Sequence, residues 1–199
     1  MRIIRTTLVS LTVMSIMASL SACGGGGGAS SPGGGAITTN NAAPGASGEW
    51  QEMKIEGATV RFEMPKPIKM NEDAKEGVVV YASQNAKEKM SFKVGMQKRN
   101  YQEDQAKGQT DDQVLTTYAT RVLKASQEQF AQMGLKTQFQ PHGSAKLPTG
   151  IAQEYVGTVG KATVVNRFYI NNQGLYFVEA TTQNIENPDF VRFLNSFTP

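Results

Sequence analysis

Apolar and polar residues alternate with a period of two through most of the chain beyond residue 49, and one long stretch switches to the helical period. Val60, Phe62 and Met64 alternate with Thr59, Arg61 and Glu63, the pattern of a half-buried strand. Trp50–Ile55 precedes it across Glu56-Gly57, which predicts a hairpin, and Pro65 and Pro67 end it. Gly77–Ala82 (GVVVYA) predicts a denser strand. Met90, Phe92, Val94 and Met96, alternating with Ser91, Lys93, Gly95 and Gln97, predict another. Lys98–Gln109 is polar and reads as a loop.

The clearest helix starts at Thr110. Thr110 and Gln113 fit a capping box, and Asp111 and Asp112 suit the positive end of the helix dipole. Val114, Leu115, Tyr118, Val122, Ala125, Phe130 and Met133 give an apolar stripe on the predicted span Asp111–Met133, with Gly134 as the C′ residue. Further strands are predicted over Leu135–Gln140, Ile151–Val159, Ala162–Ile170 and Leu175–Thr182, with Pro141–Gly150 as a loop. Asn171-Asn172-Gln173-Gly174 joins the last two as a hairpin loop. Asn187 caps a closing helix with Pro188 at N1, and Phe190, Phe193, Leu194 and Phe197 share one face of it. A helix that short needs a sheet to dock on. The order predicts an α+β domain with a mainly antiparallel sheet, one long central helix and a short C-terminal helix.

The first 48 residues follow other rules. Arg2 and Arg5 precede an apolar run from Leu8 to Leu20, which is the make-up of an export signal and too short for a spanning helix. Leu20-Ser21-Ala22-Cys23 then resembles the lipobox of bacterial lipoproteins. The resemblance implies cleavage between Ala22 and Cys23, a thioether from the Cys23 thiol to diacylglycerol, and acylation (palmitate among the chains) of the new amine. Two or three acyl chains anchor firmly, since each buried CH₂ contributes about 0.8 kcal/mol. Gly24, in place of Asp, is similar to the outer-membrane set of such proteins.

Residues 24–48 carry no charge and no aromatic residue, and hold ten of the 20 glycines. Such a segment cannot offset its ordering entropy and is expected to stay disordered. As a flexible tether it has an end-to-end distance of roughly 25–30 Å and a stretched reach of about 80–90 Å. The Gly24–Gly28 run is not read as a phosphate loop, because no strand precedes it and no Gly-Lys-Ser/Thr follows. The expected organisation is a signal over 1–22, a lipidated Cys23 and tether over 23–48, and one domain over 49–199.

Charge changes the picture once the signal is removed. The chain has 20 Lys and Arg against 17 Asp and Glu; without Arg2 and Arg5 the balance is 18 to 17, so nucleic acid is not an indicated partner. One Cys allows no internal disulfide, and one Cys with one His cannot build a Cys/His zinc site.

Catalytic candidates are few. His142 and Ser144, with Glu154 as an orienting acid, form the one tempting nucleophile pair, but no G-x-S-x-G elbow is present. The carboxylate pairs Glu72/Asp73, Glu103/Asp104 and Asp111/Asp112 are adjacent in sequence, which does not create a cleft, and no calcium loop is present. Lys87, Lys89, Lys93, Lys98 and Arg99 form the densest basic stretch, with Glu88 as the one acid among them; it reads first as a solvated strand-and-loop face, with contact to anionic lipid headgroups or an acidic partner as the alternative. Met53, Met64, Met90 and Met96 fall on strand faces and read as core filling rather than a metal relay.

Val60-Arg-Phe-Glu-Met-Pro65, Arg167-Phe-Tyr-Ile-Asn-Asn-Gln-Gly-Leu-Tyr-Phe177 and Phe193-Leu-Asn-Ser-Phe197 resemble the PsbP-like superfamily, which includes photosystem extrinsic subunits and DcrB-type periplasmic proteins. The resemblance covers about residues 50–199. It implies an α/β/α sandwich with an antiparallel sheet; it does not imply a reaction, because these are fold-bearing patterns. The expected function is that of a lipid-anchored envelope protein with a non-catalytic binding or accessory domain. It would need no cofactor or metal and would meet an envelope protein partner, more readily at the outer membrane facing the periplasm than elsewhere. A small-ligand carrier or an accessory subunit of an envelope complex is the alternative expectation, and a hydrolytic enzyme the third.

Overall fold

The computed structural model of the protein describes residues 49–73 and 77–199, so the expected export signal, Cys23 and the expected tether lie outside the described residues. The predicted hairpin forms as β1 (Trp50–Lys54) and β2 (Arg61–Pro65), paired Met53↔Phe62. The seven strands that follow build one antiparallel sheet. They are β3 (Ile68–Asp73), β4 (Val78–Asn85), β5 (Met90–Lys98), β6 (Phe139–Leu147), β7 (Gly150–Val159), β8 (Ala162–Ile170) and β9 (Gly174–Thr182), in the order β3-β4-β5-β9-β8-β7-β6.

Three helices connect and cover it: α1 (Tyr101–Ala106), α2 (Asp111–Gln132) and α3 (Pro188–Ser196). The Thr110 capping box on α2 has both of its hydrogen bonds, and Gly134 sits at φ +74 just past the helix end. α2 is about 33 Å long, enough to run the length of one sheet face. There Leu115, Tyr118, Ala119 and Leu123 pack on Val80, Phe168, Ile170 and Phe177. On the opposite face α3 and the β1–β2 hairpin form a second cover. Phe190, Phe193, Leu194 and Phe197, with Phe62 and Met64, close over Phe92, Val94, Tyr169 and Tyr176. The Phe92 and Phe193 rings stand 4.8 Å apart. Burying each such ring contributes about 1.5–3 kcal/mol, so the aromatic face of α3 fixes the second layer. Thr198 exchanges two backbone hydrogen bonds with Arg61 and closes the chain onto β2.

Four expectations need correction. Lys98–Gln109 is not all loop: it contains α1, capped by Asn100, whose side chain accepts from the Glu103 amide. Pro141–Gly150 is not a loop either. β6 runs from Phe139 to Leu147 as an edge strand, turning through Pro148-Thr149 into β7, and pairing with β7 overrides the turn-like Pro-His-Gly. Strand structure accordingly starts at Phe139, not Leu135. The buried stripe of α2 is rotated toward Ala119 and Leu123; Val114, Val122 and Ala125 are half-buried and Met133 is exposed. β3, which the periodicity does not announce, is the other edge strand.

The two ends of this sandwich differ in what they carry. The β4–β5 and β7–β8 turns lie at one end, here the lower end. There α2 also finishes, with Phe130 packed beside Val159 and Val164, and the chain leaves β9 for α3. The β8–β9 turn and the start of α2 lie at the upper end, joined through Arg99.

Candidate functional site

His142 acquires its position from a bulge. The β6–β7 register slips between Pro141 and Gly143, so His142 and Gly143 both oppose Glu154. Glu154 in turn opposes Arg167 on β8. The three side chains meet: His142 Nδ1 lies 2.7 Å from Glu154 Oε1, and Arg167 Nε donates to Glu154 Oε2 at 2.5 Å. Arg167 also donates through a terminal nitrogen to the Leu194 carbonyl at 2.7 Å, tying the cluster to the last turn of α3.

Burial works against the Glu154 carboxylate, but the hydrogen bonds from Arg167 and His142 outweigh it and hold its pKa below the usual 4.5. A depressed carboxylate adds stability above its unfolded pKa, and that stability is lost as pH falls through the lower, folded value. Urea unfolding at about pH 7 and about pH 3 checks the sign: the native domain should lose more stability on acidification than Glu154→Gln does.

The cluster has the His–acid half of a hydrolytic relay and not the nucleophile. Ser144 opposes Gln153, whose amide donates to Asp112 and Thr116 of α2. Cross-strand partners share a face, so Ser144 faces the α2 layer while Glu154 faces α3. The His142/Ser144/Glu154 arrangement, set aside from sequence for want of an elbow, is split across the sheet. The imidazole is 68% exposed, and Glu154 is its hydrogen-bond partner among the described residues.

Arg99, Asp104, Asp111 and Asp112 join elements. Arg99, 2% exposed, donates to Asp104 at 2.8 Å and to Asp111 at 2.7 Å, which takes one carboxylate from each of two sequence pairs. Glu103 pairs with Lys107 one turn along α1, and Asp112 accepts from Gln153. Glu72 and Asp73 lie next to each other on the β3 edge and so point to opposite faces. Among the described residues no group of three or more His, Cys, Asp or Glu is placed to hold a metal ion. The basic stretch is broken up, because Lys93 and Arg99 are both drawn into buried ion pairs. Met64, Met90 and Met96 are buried in the α3-side core, and Met53 packs against it.

One polar site was missed in the sequence. Lys93, Glu179 and Asn166 stand in a row on β5, β9 and β8, facing α2. Lys93 Nζ lies 2.7 Å from Glu179 Oε1, and Ser126 of α2 donates to Glu179 Oε2 at 3.2 Å. Glu179 is 2% exposed and Asn166 fully buried. The available signal was a charged and an amide residue inside two otherwise apolar strand runs, GLYFVEATT and ATVVNRFYI.

An antiparallel sheet between one long helix and a short C-terminal helix makes an α/β/α sandwich. No family model and no curated protein matches the sequence. The solution structure of cyanobacterial PsbP (CyanoP) from Synechocystis sp. PCC 6803 is similar over 80% of this chain and 97% of that one, with a TM-score of 0.52 and 14% identity. That likeness is one of fold. LpqN, described as involved in cell envelope biogenesis of Mycobacterium tuberculosis, aligns over 75% of this chain and 92% of its own, with 13% identity and a TM-score of 0.36, too low to bear on this chain. No helix among the described residues is long and apolar enough to cross a membrane.

Proposed function

We propose that the chain is a cell-envelope lipoprotein held at a membrane through lipid on Cys23, and that its PsbP-like domain is a non-catalytic binding or accessory module. The observation that carries the reading is Leu20-Ser21-Ala22-Cys23 at the end of an export signal, followed by a charge-free tether. It is supported by the Arg99, Lys93–Glu179 and Arg167–Glu154 ion pairs, which tie the domain's own elements together. Gly24 after Cys23 favours the outer membrane, with the domain in the periplasm. No cofactor enters this reading. The mechanism is localisation: the lipid confines the domain to a layer tens of ångströms deep, which raises its effective concentration toward an envelope protein partner.

Crosslinking in intact cells tests this. Native protein should yield a defined crosslinked partner that Cys23→Ala loses or weakens several-fold. His142→Ala and Ser144→Ala should keep the wild-type phenotype. A folded His142→Ala variant that lost it would argue for catalysis instead.

A further inference from the structure

The lower end of the sandwich gathers residues that are far apart in sequence. Asn85 pairs with Met90 and Val159 with Ala162, so Lys87 and Lys89 in one turn and Lys161 in the other project from the same end of the sheet. Three strand spacings separate those turns, about 14 Å. Lys136 follows the end of α2 at that end. All four lysines are exposed. The acids in the same segments are Glu88 and Glu186, which leaves the end basic.

Apolar residues are exposed there too: Met133 (41%) and Leu135 (37%) just past α2, and Ile185 (57%) in the β9–α3 turn. That turn is braced, with Asn184 and Thr182 exchanging hydrogen bonds and the Glu186 amide donating to Asn184. Ile185 is thus held outward at a fixed point. Glu49, the first described residue, lies close by. Glu49 is bound to Lys66, next to Pro65, whose carbonyl accepts from Ser83, two residues from the lower end of β4.

We propose that this lower end docks on an anionic lipid surface, with the four lysines over the headgroups and Met133, Leu135 and Ile185 entering the interface. Basic residues around protruding apolar side chains are what an anionic interface binds, and the attraction is screened by salt. The inference rests on the proposed lipid anchor for bringing the domain near a bilayer; the docking face itself is read from the domain.

The test uses mature chain purified from membranes and reconstituted into vesicles of phosphatidylcholine alone or enriched in phosphatidylglycerol. A fluorophore is attached at Gln183→Cys, at the lower end, or at Thr149→Cys, at the upper end, with headgroup-spin-labelled lipid as quencher. Quenching at position 183 should rise several-fold with phosphatidylglycerol, fall in high salt, and be lost in the Lys87→Glu/Lys89→Glu/Lys136→Glu/Lys161→Glu variant, with position 149 little affected. Equal quenching at both ends, indifference to phosphatidylglycerol, or full quenching in the charge-reversed variant would overturn the proposal. Flotation with phosphatidylcholine vesicles reads the anchor separately, and failure there would leave the phosphatidylglycerol dependence of position 183 still deciding the docking face.

Discussion

Lys93→Met is expected to cost the domain about 3–5 kcal/mol, because it removes the cation from a carboxylate that has left water. Glu179 is 2% exposed and Lys93 13%, at 2.7 Å, beneath α2. Once Lys93 is gone, Ser126 is the remaining donor, and the neighbouring Asn166 amide makes no hydrogen bond among the described residues. The double variant Lys93→Met/Glu179→Leu should recover most of the loss, since a well-packed apolar pair removes the desolvation cost together with the attraction. Urea titration of the four proteins in the cycle reads the coupling. A single variant losing under about 1 kcal/mol would mean that Glu179 is solvated in the native state.

Arg99→Ala should be nearly as damaging, at about 3 kcal/mol. Its guanidinium joins α1 through Asp104, α2 through Asp111, and the β8–β9 turn through the Asn171 carbonyl at 3.3 Å. It also lies 4.8 Å from the centre of the Tyr101 ring. Asp111 is 40% exposed and can be rehydrated, which keeps the loss below that of a fully sealed network. Arg99→Lys retains the charge without the planar fork and should restore only part of the stability. Hydrogen exchange should show α1 losing protection first in both variants, since none of its residues is buried.

Where a signal was local, the sequence carried it. The β1–β2 hairpin, the capped start of α2, the β8–β9 hairpin and the aromatic face of α3 are each encoded in one continuous stretch of chain. The elements that escaped in whole (β3, α1) or past their first residues (β6) are those whose cause lies elsewhere in the chain. β3 and β6 are edge strands, mostly exposed, and exist because β4 and β7 offer them hydrogen-bond partners. α1 has no buried residue and is held by Arg99 and Asn100. The same holds for the polar sites. Glu154 was legible only as an acid to pair with His142, whereas Arg167 enters through the β7–β8 register and Ser144 leaves through the alternation of β6. The lower-end lysines come from three separate segments that only the completed sheet and helix bring together.

The claim on which the functional account depends lies at Cys23, and mass spectrometry of the N-terminal peptide of the mature protein addresses it most directly. The account predicts a peptide that begins at Cys23 and carries two or three acyl chains through a thioether-linked glyceride and the new amine. A peptide that retains Met1–Ala22, or one with an unmodified thiol at Cys23, would contradict it.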